Sequence, residues 1–177
     1  VALLEAMKSS AISKLSISDC DIGPQALMTS APLISVIPAL TEIRLDRNPI
    51  TGSKYNEREL CGVLARRKQH GVEEYDCDVS GLVSLLEAMK SSAVSKFSIS
   101  DCDIGPKALM TAAPLISGIT ALTAMNVMKN PIGEDGLAML MSAIEGTAVK
   151  TISGMTEGQA SLDWSNQNLT PMDVKIL

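Results

Sequence analysis

Aromatic rings are almost missing from this chain: one Phe, one Trp and two Tyr make up 2% of its 177 residues. That excludes a row of rings on which bases or sugars could stack. A basic excess is missing too, with 15 Lys and Arg against 20 Asp and Glu and a net charge of −5. Few cations are left to neutralise a polyphosphate, so nucleic acid is not an expected partner. No apolar run approaches the ~20 residues that cross a bilayer, and no membrane partner is expected. The opening stretch "VALLEAMKSS" lacks the basic flank and cleavage signal of a secretory leader. The four cysteines (Cys20, Cys61, Cys77, Cys102) show no C-x-x-C spacing, and His70 is the single histidine, too few ligands for a zinc site. No phosphate-cradling G-x-x-x-x-G-K-[ST] loop occurs.

What the chain has is apolar bulk, 46% of its residues, drawn almost wholly from aliphatic side chains and Met. It is also strongly repetitive. "LLEAMKSSAISKLSISDCDIGPQALMTSAPLIS" from Leu3 returns as "LLEAMKSSAVSKFSISDCDIGPKALMTAAPLIS" from Leu85, so residues 1–50 resemble residues 83–132. Inside each copy a shorter pattern runs, in which an apolar residue is followed at +3, +5, +8 and +10 by apolar, apolar, Asn or Cys, and apolar residues. Ile12, Leu15, Ile17, Cys20 and Ile22 fit it, as do Leu40, Ile43, Leu45, Asn48 and Ile50. Val94, Phe97, Ile99, Cys102 and Ile104 follow, and then Leu122, Met125, Val127, Asn130 and Ile132. Alternation at +3 and +5 predicts a strand with one inward face, and the Asn or Cys can satisfy backbone groups in the turn after it. Helix-like stretches come next, such as "GPQALMTSAPLI" and "GEDGLAMLMSAIEG". Pro24 and Pro106 suit a first helical turn, whereas Pro32 and Pro114 should shorten or kink their helices.

One strand and one helix every 22 to 32 residues is the period of a solenoid. On "ISKLSISDCDIGPQAL", "LTEIRLDRNPITG", "VSKFSISDCDIGPKAL", "LTAMNVMKNPIGEDGLAML" and "SLDWSNQNLTP" the chain resembles leucine-rich repeats of the helix-bearing, ribonuclease-inhibitor-like type. The resemblance implies an α/β horseshoe, with a curved parallel sheet on the concave side and helices on the convex side. It also implies a single array over residues 1–177, with an irregular unit near 148–161 where "AVKTISGMTEGQAS" departs from the period. A stunted strand near Val149 to Ile152 is expected there.

The closest approach to a chemical motif is "EYDCDVSGLVSLLE", in which Asp76, Asp78, Ser80, Gly81 and Glu87 fall on the spacing of a helix-loop-helix calcium loop. The repeat register competes with it. Val72, Tyr75, Cys77, Ser80 and Leu82 occupy the +0 to +10 positions, which makes "EYDCD" a strand and carries Glu87 away on the following helix. The register is preferred, so no metal and no cofactor are expected. The cysteines read as core thiols, Cys77 on an inward strand position, and His70 as a solvated helix end. With no Ser, His and Asp set in a distinctive context, the chain reads as no enzyme.

The outward strand face is then the candidate surface. Its proposed contacts are Glu42, Arg44 and Asp46; Glu74, Asp76 and Asp78; Lys96; and Asn126 and Met128, with Arg44 placed beside Asp76 on the next strand. The expected role is a non-catalytic scaffold that binds a protein partner. Two alternatives stand beside it: a regulator of a small GTPase acting through Arg44 or Arg47, and the ligand-sensing repeats of a larger receptor. Scattered unpaired thiols point to a reducing, cytoplasmic setting. The missing initiator Met and the ending "PMDVKIL" suggest a piece of a longer polypeptide, whose uncapped ends could associate end to end.

Overall fold

Four three-residue strands, each centred on an inward apolar side chain, set the frame. The computed structural model describes residues 2–55, 72–155 and 169–177. The elements run α1 (Ala2–Met7), β1 (Lys14–Ser16), α2 (Pro24–Ile34), β2 (Glu42–Arg44), β3 (Lys54–Tyr55), β4 (Val72–Glu74), α3 (Ser80–Met89), β5 (Lys96–Ser98), α4 (Pro106–Ile116), β6 (Ala124–Asn126), α5 (Gly133–Ile144) and α6 (Pro171–Ile176). The fold is mixed α/β. β1, β2, β5 and β6 form an all-parallel sheet in that order. The helices stack in chain order, each touching the next. Parallel neighbours need a crossover between them, and helices α2 and α4 supply two of these.

The strand centres Leu15, Ile43, Phe97 and Met125 are all buried, as are Leu40, Ile50, Leu122 and Ile132, the flanking apolar residues of the same pattern. They meet Leu27, Ile34, Leu82, Leu86, Leu109, Ile116 and Leu140 from the helices in one apolar core. Among the described residues no helix is long and apolar enough to cross a membrane. Cys20, Cys77 and Cys102 are free thiols.

Lys14 and Glu42 stand 28 residues apart in the chain and pair across neighbouring strands, as do Lys96 and Ala124. Glu42 and Lys96 also pair, although 54 residues separate them, 26 more than 28. The expected strand from Val72 onward is therefore not in the parallel sheet. β4 stops at Glu74 and pairs antiparallel with β3. The extra chain falls between "NPI" and α3, so Glu74, Asp76 and Asp78 leave the sheet face. At the far end Thr151 bridges to Ala124 in parallel and Ser153 to Asn126 in antiparallel fashion. Cys61, Arg67, His70, Asp163, Trp164 and Ser165 lie outside the described residues.

Short strands make few ladder bonds, and buried amides supply the rest. Asn48 Oδ1 accepts the backbone N–H groups of Cys20 and Ile22, both at 2.9 Å, while its Nδ2 donates to the carbonyls of Ile17 and Leu45, both at 2.8 Å. Asn130 repeats the arrangement on Cys102, Ile104, Ile99 and Val127 at 2.8–3.1 Å. Each Asn thus ties the turn of the preceding unit to its own. Those turns need left-handed backbone at Asp19 and Asp21 and again at Asp101 and Asp103, with φ of 55–59°. Aspartate tolerates that conformation better than most residues.

Pro32 and Pro114 lie inside α2 and α4, and each helix ends two residues later. α6 begins with a capping box: Thr170 Oγ1 accepts from the Asp173 N–H at 3.2 Å and the Thr170 N–H donates to Asp173 Oδ2 at 2.8 Å.

Removing a buried amide strands several backbone groups at once. Asn130→Ala should lower the urea-measured unfolding free energy by about 3 kcal/mol, and Asn48→Ala by clearly less, because water reaches the exposed Cys20 turn but not the buried Cys102 turn. Equal losses would mean that water at the Cys20 turn does not spare its backbone groups, and small losses in both would mean that the buried amides do not hold the units together.

Candidate functional site

Along a strand, alternate residues leave the core, and parallel pairing lines them up in rows. Lys14, Glu42, Lys96 and Ala124 form one row, and Ser16, Arg44, Ser98 and Asn126 the next. An open hollow of about 120 Å³ lies over the middle of the sheet, lined by Glu42, Arg44, Asp46, Lys96, Ser98 and Asn126, with Gly154 at its far side. Sites for drug-sized ligands span ~300–1,000 Å³. This one has room for the head of a single side chain.

The two acids in the hollow are already engaged. Glu42 is buried; its carboxylate accepts from Arg44 Nε at 2.6 Å and faces Lys14 Nζ at 3.3 Å. Burial pushes the Glu42 carboxyl up, but the hydrogen bonds and charges of Arg44 and Lys14 outweigh it and hold the pKa below its ordinary 4.5. Asp46 accepts the Ser98 hydroxyl and, at 2.8 Å, the Ser100 N–H, joining β2 to β5.

The donors are less committed. Lys96 is exposed and makes no ion pair among the described residues. Arg44 spends its Nε on Glu42 and keeps a side chain 58% exposed. Asn126 Oδ1 accepts the Met128 N–H at 3.2 Å, leaving its NH₂ without a bond among the described residues. Gly154, with φ of 75°, closes against Asn126: a Cβ there would come within 3.0 Å of that side chain.

Of the nine proposed contacts, Glu42, Arg44, Asp46, Lys96 and Asn126 therefore come together. The other four do not join them. Met128 is buried rather than outward, because β6 ends at Asn126 and the chain turns through a left-handed Lys129 with φ of 62°. Arg44 pairs across the sheet with Ser16 and Ser98, not with Asp76. Glu74 joins Lys54 at 2.9 Å on the β3–β4 pair, and Asp78 Oδ1 accepts the Ser80 N–H at 2.9 Å.

Asp76 has a different task. It is buried with φ of 57°, and its two oxygens accept the N–H groups of Gly105 and Ala108, each at 2.9 Å. A carboxylate on these amides caps α4 and complements its dipole. Both oxygens thus point at a helix start, while Glu87 sits exposed on α3 and pairs with Lys90. The calcium-loop spacing does not converge on an ion.

The thiols also divide. Cys102 is buried, and desolvation pushes its pKa up to about 12. Cys20, which the sequence placed in the core, is exposed, and Cys77 is half-buried. Sequence reasoning missed the Asp76 cap and the Asp46–Ser98 link, since each joins residues distant in the chain. No protein-family model matches this chain, and no curated protein matches it.

Two outcomes test these assignments. Because the folded Glu42 pKa is depressed, its pairing stabilises above the unfolded value and is lost as pH falls through the folded value. Stability should therefore drop more steeply between about pH 5 and pH 3 in the parent than in Glu42→Gln, measured by urea unfolding at each pH. Asp76→Ala should cost about 1–2 kcal/mol, and calcium at about 1 mM should leave the parent Tm unchanged. A calcium-dependent rise in Tm that Asp76→Asn abolishes would restore the calcium-loop reading.

Proposed function

We propose that this chain is a leucine-rich-repeat array of the helix-bearing, ribonuclease-inhibitor-like type, and that it works as a non-catalytic scaffold holding a protein partner on the outward face of its sheet. The 28-residue spacing of paired strands, the parallel sheet beside a row of helices, and an Asn closing alternate turns support that architecture. In such an array the outward sheet face is the concave one, where stiff rows of side chains read a partner. A cytoplasmic setting suits its free thiols.

One observation carries the binding role: both acids of the hollow are held by the chain's own donors, while Lys96, the Arg44 tip and the Asn126 amide are left facing outward. A surface of donors with its own acceptors satisfied fits an acidic side chain of a partner. Its small volume disfavours a cofactor. The GTPase-regulator reading is weaker, since Arg44 is tied to Glu42 and Arg47 lies 3.8 Å from Asp19.

With a partner captured from source cells, Lys96→Glu should raise Kd by at least about tenfold and leave Tm little changed, whereas Arg44→Glu should raise Kd similarly and also lower Tm, because it leaves the buried Glu42 carboxylate facing a second acid. The helix-face change Lys107→Glu should leave Kd unchanged. The reverse pattern would move the working surface to the helices.

A further inference from the structure

The tandem copies set one lysine in two electrostatic surroundings. Residues 82 apart correspond, so Lys14 matches Lys96, Glu42 matches Ala124 and Arg44 matches Asn126. Strand pairing is the same in both copies: Lys14 lies opposite Glu42 on β2, and Lys96 lies opposite Ala124 on β6. In the first copy the Glu42 carboxylate faces Lys14 Nζ at 3.3 Å and accepts from Arg44 Nε at 2.6 Å. In the second copy the lysine and a side-chain donor, Asn126, are kept. The carboxylate between them is replaced by the methyl group of Ala124.

The place it would fill is open. Lys96, Ala124, Asn126 and Gly154 all line the hollow over the sheet, and Ala124 is only half-buried. Among the described residues Lys96 has no ion pair and the Asn126 NH₂ no bond. Glu42 stands beside Lys96 on the other side of β5, but its oxygens are turned to Lys14 and Arg44. Gly154 keeps the far wall low, since a side chain there would strike Asn126.

The charges set what can enter. Around the hollow Lys14, Arg44 and Lys96 stand against Glu42 and Asp46, a surplus of one positive charge. A carboxylate neutralises that surplus. A phosphate monoester, with a charge of about −1.5 to −2 at pH 7, overshoots it.

Building on the sheet face as the binding surface, we infer that Lys96, Asn126 and Gly154 form a subsite over Ala124 for one carboxylate of a partner protein. An Asp or Glu side chain of that partner takes, in the second copy, the place that Glu42 holds in the first. Glu42 supplies the pattern of contacts: one carboxylate between a lysine ammonium and a planar N–H donor, here Lys96 Nζ and the Asn126 amide.

The subsite can be filled from within. In Ala124→Glu the introduced carboxyl should titrate below the ordinary 4.5, as Glu42 does, and should return toward it when Lys96→Met is added, as read by carboxyl NMR. Two probes then define the ligand, N-acetylglutamic acid amide and N-acetylphosphoserine amide, each titrated while the Asn126 NH₂ resonance is followed. The glutamyl probe should bind the parent more tightly than the phosphoseryl one. Ala124→Glu and Lys96→Gln should each weaken it by at least about tenfold. Met110→Glu makes the same charge change at an exposed helix position and should leave it unchanged. An introduced carboxyl with an ordinary pKa, or equal glutamyl affinity in Ala124→Glu and Met110→Glu, would overturn the assignment. Tighter binding of the phosphoseryl probe would overturn it in favour of a phosphorylated side chain. A captured partner released by Lys96→Glu but not by Ala124→Glu would leave the sheet face as the working surface and remove the subsite. A partner indifferent to both variants would remove the sheet-face reading and the subsite with it.

Discussion

A strand of three residues cannot hold a neighbour by its ladder alone, and the molecule depends on the side-chain amides that make up the shortfall. Asn48 and Asn130 each make two accepted and two donated bonds to backbone groups, at a place where the chain leaves the sheet and turns beneath it. A buried peptide group without a partner is expensive. The tight turns after β1 and β5 are tenable because the amide of the next unit satisfies them. Register follows from the same bonds: a slip by one residue would break them and turn Leu15 or Phe97 out of the core.

In the β5 unit this dependence runs in one direction along the chain and gives its two sides different characters. The turns after β1 and β5 are satisfied by the Asn of the unit that follows, whereas the strand carbonyls after β5 and the start of α4 are satisfied by residues that precede them. Asp76 illustrates the second half, because a residue from the extra chain between β2 and α3 reaches across to cap α4. The outer face of β1 lacks that predecessor among the described residues, which explains why Cys20 is exposed where Cys102 is buried, despite near-identical surroundings in sequence.

On the sheet face electrostatics is organised within the surface first. Glu42 is buried as an anion between Lys14 and Arg44, and Asp46 spends its oxygen on β5. These bonds set the orientation of Arg44 and, among the described residues, leave the Lys96 ammonium without an ion pair and the Asn126 NH₂ without a bond. The result is a local surplus of donors on a chain whose net charge is −5, a contrast that would steer an acidic group toward this face.

The sequence by itself determined the apolar offsets, the helix starts at Pro24 and Pro106, and the alternation that puts Glu42, Arg44 and Lys96 on the outward face. These are local properties, set by side-chain period and by the fixed φ of proline. Only the tertiary structure decided which strands are neighbours. A stretch with the right offsets, Val72 to Leu82, is drawn instead into an antiparallel pair with Lys54–Tyr55 and a helix cap. It decided too that Met128 turns inward and that Cys20 and Cys102 part company. Burial belongs to what lies on the other side of an interface, and a residue's own neighbours in the chain carry no record of that.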